Sequence, residues 1–355
     1  MKHYTWPGNC KPDKNFMVLS GAFDENTYTK KLMSIKKITP RLLVALIFIG
    51  FLAHSFFSKY QNEPSLKHPK QDVQLAWPAV GQAAIGSVEN GILARSSGNE
   101  KARPTASMAK VITALAIMEK KPFKRGQEGQ TYTITRNDIA SLNAYISEGG
   151  SVLPIRIGMK LTQYEAMQRM LIASDNNMAD ILVERIFGSI DAYVLYAQDM
   201  LKRLGLSRTV VADASGFSSA TVSTPSELVT IGIAALKNPV IARIVARQQA
   251  QIPVAGVIKN TNLLLGTDGI IGIKTGTTHD AGSCLLFAAR YVSKGGQKGT
   301  IVGVIMGDTN HSRLYSDSRD LLASAKQCFG LAGGQSTGNI VAHPPKTGTS
   351  SPPKK

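Results

Sequence analysis

The hydrophobic positions of the chain form one long run near its start and shorter, interrupted segments afterwards. The run is LLVALIFIGFLAHSFF at 42–57, apolar apart from His54 and Ser55, and it follows the basic stretch KKITPR at 36–41. A basic flank before an apolar run is typical of a membrane-targeting segment whose N-terminal side stays in the cytoplasm. A spanning helix usually needs about 20 residues, so the run predicts a transmembrane anchor or a signal peptide cleaved near Ala53.

The same pattern divides the rest of the chain. Residues 1–41 are expected to form a basic cytoplasmic segment, with Met33 as an alternative start, and the polar stretch 58–75 reads as a linker. From 76–331 the pattern is globular throughout, whereas 332–355 is rich in Gly, Ser, Thr, Pro and Lys and cannot bury a core. We therefore expect the globular domain outside the cytoplasm, attached to the cell membrane and located in the periplasm or on the cell surface. If the leader is cleaved, the domain would be secreted.

Three β-rich segments follow one another in the second half of the domain: GIIGIKTGT, SCLLFAARYV and GTIVGVIMG. Their β-branched residues and the Gly-rich connection SKGGQKG predict antiparallel strands. Lys274, Thr275 and Gly276 lie on the first of these strands, which is expected at a sheet edge. Gly276 has no side chain, so substrate backbone is expected to approach closely there, beside Thr277.

A predicted helix at PTASMAKVITALAIMEK begins near Pro104 and Thr105 and is helical from Met108 onward. Ser107 and Lys110 are three positions apart and therefore share one helix face. A serine hydroxyl needs a base within hydrogen-bond reach, and a lysine can be that base when burial lowers its pKa. The competing interpretation is an ordinary helix start with a solvated lysine, because this spacing is common by chance.

A polar interruption separates two apolar helical segments in MLIASDNNMADILVERIF. Polar residues in such a setting are usually helix caps or parts of a site. Ser174 could relay a proton between the lysine base and a leaving amine. Asn176 could hold both Lys110 and a substrate amide.

Composition narrows the classes of partner. The net charge is +17, and the basic flanks suit lipid headgroups or a cell-wall polymer. A nucleic-acid partner is not expected, because no basic helix or aromatic-interleaved basic stripe supports one. Three cysteines without regular spacing argue against a disulfide framework or a metal site; Cys284 and Cys328 are expected to be buried thiols, with a bond between them left open. No cofactor is expected.

The three motifs Ser-x-x-Lys, Ser-Asp-Asn and Lys-Thr-Gly occur here in the order found in class A β-lactamases and penicillin-binding proteins. The chain therefore resembles the penicillin-recognising serine hydrolases. The stretches KTGTTHDAGSC and NTNLLLGTDGIIGIKTG, together with EGGSVLPIRIGMKLTQYEAMQRMLIASDNNMAD and DASGFSSATVSTPSELVTIG, are similar to low-molecular-mass D-alanyl-D-alanine carboxypeptidases. Asn177 departs from that family pattern, which usually has Asp there.

The resemblance implies an α/β fold of the DD-peptidase/β-lactamase type. An antiparallel sheet would be flanked by helices, a mainly helical subregion would lie beside it, and the active site would lie between them. It also implies removal of the terminal D-alanine from a peptidoglycan stem peptide through an acyl-enzyme, with β-lactam antibiotics as covalent inhibitors and membrane attachment through 42–57. The implied catalytic residues are Ser107, Lys110, Ser174, Asn176 and Lys274, and the implied substrate-binding residues are Thr275, Gly276, Thr277 and Arg313.

Two alternatives are weighed against this reading. A class A β-lactamase needs a glutamate that activates the deacylating water, but Glu184 and Glu227 are the only glutamates between Asn176 and Lys274 and neither has that sequence context. A catalytically silent cell-wall-binding scaffold would be free to lose Ser107 or Lys110, and both are present. The second Lys-Thr-Gly, in the tail at 346–348, reads as a chance match.

Overall fold

The structure, a computed structural model, describes residues 74–97, 100–293, 295–329 and 331–333. The predicted anchor at 42–57, the segment before it, most of the linker and the tail copy of Lys-Thr-Gly lie outside the described residues. Within the described ranges no single helix is long and apolar enough to cross a membrane. One bent pair, 225–237 with 239–245, meets the test of length and composition but turns by 106° at its break.

Twelve strands are formed by the described residues. In chain order they are β1 Gln82–Ser87, β2 Gly91–Arg95, β3 Arg103–Pro104, β4 Thr131–Thr133, β5 Lys160–Thr162, β6 Val222–Ser223, β7 Gln249–Ile252, β8 Gly256–Lys259, β9 Ile270–Thr278, β10 Gly282–Ser293, β11 Lys298–Asp308 and β12 Leu331–Gly333. Six of them form the central antiparallel sheet, in the order β12-β10-β11-β1-β2 with β9 also paired to β10. The three strands expected from the sequence are thus confirmed as β9, β10 and β11.

Eight α-helices surround this sheet in the described part of the chain. They are α1 Ala109–Lys120, α2 Arg136–Ser147, α3 Gln163–Ile172, α4 Asn176–Phe187, α5 Ile190–Arg203, α6 Pro225–Lys237, α7 Pro239–Val245 and α8 His311–Cys328. Helix α6 packs on one face of the sheet against β1 and β11, and α8 packs on the opposite face against β10 and β11. The expected antiparallel sheet with flanking helices is therefore confirmed.

Two apolar cores follow from the alternation of strand side chains between faces. On β10, Leu286 and its alternate neighbours join the large core shared with α1 to α7. Phe287 points the other way and joins a smaller core with Leu314 and Leu321 of α8. The sheet is buried on both faces, which explains why its long strands read as nearly continuous apolar runs.

The start of the first predicted helix differs from expectation. Pro104 belongs to β3, which pairs with β6, and the backbone N–H of Thr105 donates to Thr221 O at 3.0 Å. A short 3-10 turn, Ala106–Met108, follows before α1 begins at Ala109. Long-range strand pairing therefore overrides the local helix-start signal at Pro104.

Candidate active site

Ser107 lies in the 3-10 turn that connects β3 to α1. The residue before it, Ala106, has a φ of 46°, a left-handed conformation that costs free energy in a non-glycine residue and tends to occur at functional sites. Gly216 packs on this turn, because a Cβ added there would lie 1.9 Å from the carbonyl oxygen of Ala106. The turn is thus fixed by a neighbouring backbone that only glycine allows so close.

Lys110 is one turn further along and is 0% exposed. Its Nζ donates to Ser107 Oγ at 2.8 Å, to Asn176 Oδ1 at 2.7 Å and to the carbonyl of Ser215 at 2.8 Å. An ammonium group has three N–H donors, and these partners take all of them. When the amine is neutral, Asn176 and Ser215 can keep the two remaining N–H groups, which leaves the lone pair directed at Ser107 Oγ.

Burial changes the acidity of this lysine. Loss of hydration lowers the pKa of Lys110 to about 7, although the negative charges of Asp213, Asp175 and Asp180 oppose the shift. A base with such a pKa is about half unprotonated near neutral pH, the condition under which general-base catalysis is most effective. The solvated-lysine interpretation of the Ser-x-x-Lys motif is therefore wrong.

The polar interruption between α3 and α4 forms the wall beside Lys110. Helix α3 ends at Ile172, and Ser174, with a φ of 63°, leads into α4 at Asn176. Asp175 makes an ion pair with Arg169 at 2.7 Å, and neither side chain is exposed. The backbone N–H of Asn176 donates to Ser151 O at 2.8 Å. These bonds fix the orientation in which Asn176 accepts the hydrogen bond from Lys110. Ser174, two residues before Asn176, is 6% exposed.

Strand β9 forms the opposite wall. A Cβ added at Gly276 would lie 2.9 Å from Ser107 N and 3.1 Å from Thr105 O. The Cβ side of Gly276 thus faces the turn that carries Ser107, which requires glycine here, and close approach of substrate backbone at Gly276 stays a prediction. Thr277 is exposed at the strand edge, and the Oγ1 atoms of Thr275 and Thr261 share a hydrogen bond of 2.6 Å.

Lys274 is the second buried amine of the site. Its Nζ donates to the carbonyl of Thr275 at 2.9 Å. Burial, and then the positive charge of Lys110, lower its pKa well below the ordinary lysine value. The two lysines are therefore electrostatic neighbours, although Lys110 is the one that contacts the serine.

Arg313 lies at the start of α8, at the same end of the sheet. Its Nη2 donates to Asp308 Oδ1 at 2.7 Å. The strand register pairs Thr277 with Ser283 and Ser283 with Asp308. Asp308, which holds Arg313, therefore lies in one row across β9, β10 and β11 with Thr277. Its role toward a carboxylate stays a prediction. His279 is fully exposed in the β9–β10 turn, at 101%, in keeping with a solvated loop histidine.

The sequence assigned no role to the loop at 213–217, which contacts Lys110 in the structure. Ser215 supplies a carbonyl to Lys110 and hydrogen bonds through its hydroxyl to Asp213 at 2.8 Å. Every residue has a carbonyl, so side-chain motifs could not identify this one. The signals available were Gly216 and the family resemblance of the stretch around it, DASGFSSATVSTPSELVTIG.

The cysteines are not part of the site. Cys284 is a free, buried thiol whose pKa burial raises to about 11, so it is not bonded to Cys328. The expected burial is confirmed for both residues, and Cys284 is confirmed as a thiol. The described residues contain no group of three or more His, Cys, Asp and Glu side chains that could hold a metal ion.

A buried lysine that is hydrogen-bonded to a serine hydroxyl, between a helical wall and an edge strand, is the arrangement expected of a serine hydrolase with a lysine base. The family model described as D-alanyl-D-alanine carboxypeptidase matches residues 81–310. The chain belongs to the D-alanyl-D-alanine carboxypeptidase family, as its motifs indicated.

Curated relatives are similar over much of the domain. A D-alanyl-D-alanine carboxypeptidase of Bacillus subtilis is 26% identical over 262 residues, covering 72% of this chain and 63% of the relative. A D-alanyl-D-alanine endopeptidase of Pseudomonas aeruginosa is 24% identical, covering 59% and 66%. The matched regions thus span somewhat less than two thirds of these two relatives. A D-alanyl-D-alanine endopeptidase of Haemophilus influenzae is 29% identical, covering 63% of this chain and 73% of the relative.

Solved structures share the fold. The DD-transpeptidase of a Streptomyces strain superposes with a TM-score of 0.58 at 21% identity, covering 72% of this chain and 98% of its own. A penicillin-binding protein from Listeria monocytogenes, solved in its ampicillin-bound form, superposes with a TM-score of 0.56 at 22% identity, covering 72% and 99%. The expected DD-peptidase fold is confirmed.

Proposed function

We propose that the protein is a serine DD-peptidase that removes the terminal D-alanine from peptidoglycan stem pentapeptides and is acylated by penicillins. The observation that carries the proposal is the contact of 2.8 Å between Lys110 Nζ and Ser107 Oγ, with Asn176 Oδ1 2.7 Å from the same nitrogen. Family membership supports peptidoglycan stem peptides as the substrate class. The relative named D-alanyl-D-alanine carboxypeptidase supports cleavage of the bond between the two D-alanines.

Acylation begins when Ser107 Oγ attacks the carbonyl of the penultimate D-alanine and transfers its proton to neutral Lys110. The oxyanion that forms would be stabilised by the backbone N–H groups of Ser107 and Thr277; Ser107 N lies 2.9 Å from the Cβ position of Gly276, the residue before Thr277. Each donor of this kind contributes about 3 kcal/mol to transition-state binding. The C–N bond then breaks, and the proton on Lys110 passes through Ser174 to the departing nitrogen of D-alanine.

Deacylation consumes one water, which attacks the ester carbonyl while Lys110 accepts its proton and Ser107 recovers its own. The product is a stem peptide shorter by one D-alanine. An amine acceptor in place of water would give transpeptidation, and a cross-linked donor would make the same chemistry an endopeptidase reaction. The endopeptidase relatives make a cross-linked donor worth testing beside the pentapeptide.

Recognition of the terminal carboxylate is assigned to the edge of the sheet. Thr275 and Thr277 lie on β9, and Arg313 is held near the same row by Asp308. A guanidinium binds a carboxylate through paired N–H donors. Lys274 would add positive charge behind this row whenever it is protonated.

Slow release of a penicillin is expected rather than its rapid destruction. Glu227 accepts hydrogen bonds from Thr209 Oγ1 at 2.5 Å and from Arg208 N at 3.0 Å. Glu184 lies 3.9 Å from Arg185 and is 42% exposed. Neither glutamate is bonded to the network around Ser107, so the structure offers no support for the deacylating base of a class A β-lactamase.

Attachment to the membrane through 42–57 is proposed from the sequence alone. A basic flank and an apolar run of this length support an anchor or leader with the catalytic domain outside the cytoplasm. Fractionation of cells that express the chain with and without 42–57 tests it: the intact chain should pellet with membranes or appear cleaved. Equal soluble cytoplasmic amounts would contradict the assignment.

The activity is tested by the intact mass of the protein after incubation with a fluorescent penicillin. A long-lived adduct is expected on the wild type and on Ser147→Ala, a change at an exposed serine of α2, and none on Ser107→Ala. D-alanine release from a pentapeptide then names the reaction. Rapid penicillin turnover without a lasting adduct would favour a β-lactamase, and no reaction with either compound would favour a silent scaffold.

A further inference from the structure

We propose that Asp213 is a positioning residue that acts through Lys110: its hydrogen bonds hold the Ser215 carbonyl on Lys110 Nζ, and its negative charge faces that nitrogen. The inference rests on the proposed function, since it concerns the base of the same reaction. Asp213 lies outside the three motifs; it opens the stretch DASGFSSATVSTPSELVTIG that resembles the carboxypeptidases, but the resemblance assigns it no role.

The carboxylate of Asp213 organises the loop in which Ser215 lies. Its Oδ2 accepts from Ser215 Oγ at 2.8 Å and from the backbone N–H groups of Phe217 at 2.9 Å and Ser215 at 3.3 Å. Its Oδ1 accepts from the hydroxyl of Thr221. Hydrogen bonds to an ionised acceptor are about twice as strong as neutral ones, so this side chain fixes the conformation of the loop.

The same loop contacts both reacting groups. The carbonyl of Ser215 accepts from Lys110 Nζ at 2.8 Å. The next residue, Gly216, lies against the carbonyl of Ala106, directly before the nucleophile. A shift of this loop would therefore move the lysine and the Ser107 turn relative to each other.

Four charged groups face Lys110, and Asp213 is distinct among them. Asp175 is compensated by its ion pair with Arg169. Burial raises the pKa of Asp180 to about 7, so its charge is incomplete at neutral pH. Lys274 is an amine that competes with Lys110 for a proton, because a positive charge on one disfavours a positive charge on the other. Asp213 exerts the largest favourable charge interaction on the Lys110 ammonium.

The sign of the effect follows from this arrangement. Below its pKa, Lys110 holds a proton and cannot accept the one from Ser107. The charge of Asp213 favours the protonated form, so its removal should lower the pKa of Lys110 further and move the acid limb of the rate profile to lower pH. A less basic amine is also a weaker general base, so the rate on the plateau should fall.

The test uses the 355-residue chain and measures the second-order rate of acylation by a fluorescent penicillin across pH. Asp213→Asn keeps the size of the side chain and removes its charge, and we expect a midpoint at lower pH together with a lower plateau. Asp213→Ala also releases the loop, and we expect a plateau lower by on the order of a hundredfold. Asp268→Asn, in an exposed turn, is the matched control and should leave the profile unchanged.

The outcomes separate the inference from the proposed function. If the Asp213→Asn variant is acylated more slowly but keeps the wild-type midpoint, Asp213 has a structural role only and the inference is overturned. A pH profile identical to that of the wild type would overturn it as well. If Asp213→Ala fails to fold, the midpoint of Asp213→Asn still decides. A wild-type protein that reacts neither with penicillin nor with a pentapeptide would instead refute the proposed function.

Discussion

The buried ion pair between Arg169 and Asp175 gives the sharpest test of the structure. The two side chains are 2.7 Å apart and neither is exposed. Asp175→Asn would leave the guanidinium buried without its counter-charge, since its remaining acceptors are the neutral carbonyls of Leu153 and Pro154. Removing one partner of such a pair typically costs about 3–5 kcal/mol.

The loss of stability in Asp175→Asn can be assigned to the broken ion pair rather than to a lost helix cap. Asp175 occupies the N-cap position of α4, but its side chain makes no capping bond there. For a domain of this size, the loss corresponds to a fall in Tm of roughly 6–20 °C. We expect this fall in thermal unfolding followed by circular dichroism.

A matched control is available on the surface. The pair of Arg319 and Asp268 has a similar N–O distance, 2.9 Å, but its side chains are 53% and 47% exposed. Asp268→Asn should therefore cost less than about 1 kcal/mol. Arg169→Met combined with Asp175→Leu should cost less than the sum of the single changes, because no charge is left unpaired. Equal losses for the buried and exposed Asp→Asn variants would refute the reasoning.

Two further predictions concern close contacts. Gly276→Ala would place a methyl group 2.9 Å from Ser107 N, so acylation by penicillin should slow markedly, and Tm should also fall because the methyl group meets backbone atoms. An unchanged acylation rate would mean that β9 can retreat from the nucleophile. Cys284 has a pKa raised to about 11 by burial, so it should resist alkylation in the native protein and react after unfolding. Modification of the native protein, detected by mass, would contradict its burial.

The parts of the fold that alternate or repeat locally could be predicted from the sequence. Strands β9, β10 and β11 were recognisable from β-branched runs separated by glycines, and the break between α3 and α4 from three consecutive polar residues. Pro104 was assigned to a helix because the sequence does not reveal its pairing with β6. Pairing between distant segments overrides local preference, and only the folded chain shows it.

The side chains of the candidate site could be predicted from their spacing, but their backbone contacts could not. The spacing of Ser107 and Lys110 placed them on one helix face, and burial of the lysine in the structure turned a common spacing into a base. The sequence could not show that Gly276 accommodates the Ser107 turn, since a close approach by protein or by substrate selects the same residue. It also could not reveal the carbonyl of Ser215, because backbone acceptors carry no sequence signature.

The two buried lysines lead to a last prediction, opposite in sign to that for Asp213. Burial opposes protonation of both amines, and the charge on Lys110 further lowers the pKa of Lys274, so the two titrate as a pair. The acylation rate of the wild type should rise through about pH 7 as Lys110 loses its proton. A proton on either amine disfavours a proton on the other, so Lys274→Met removes the group that competes with Lys110 for a proton, and the acid limb should move to higher pH.

Measurement of acylation across pH for the wild type, Lys274→Met and Asp213→Asn decides whether Lys110 is the titrating base. If it is, the two variants displace the midpoint in opposite directions, because Lys274→Met removes an amine that competes for the proton and Asp213→Asn removes a negative charge that holds it on Lys110. Displacements in the same direction would assign the limb to another group. Lys274 also lies behind the residues proposed to bind the substrate carboxylate, so its loss can lower the plateau for another reason. The midpoint of the profile, rather than the height of its plateau, therefore identifies the titrating base.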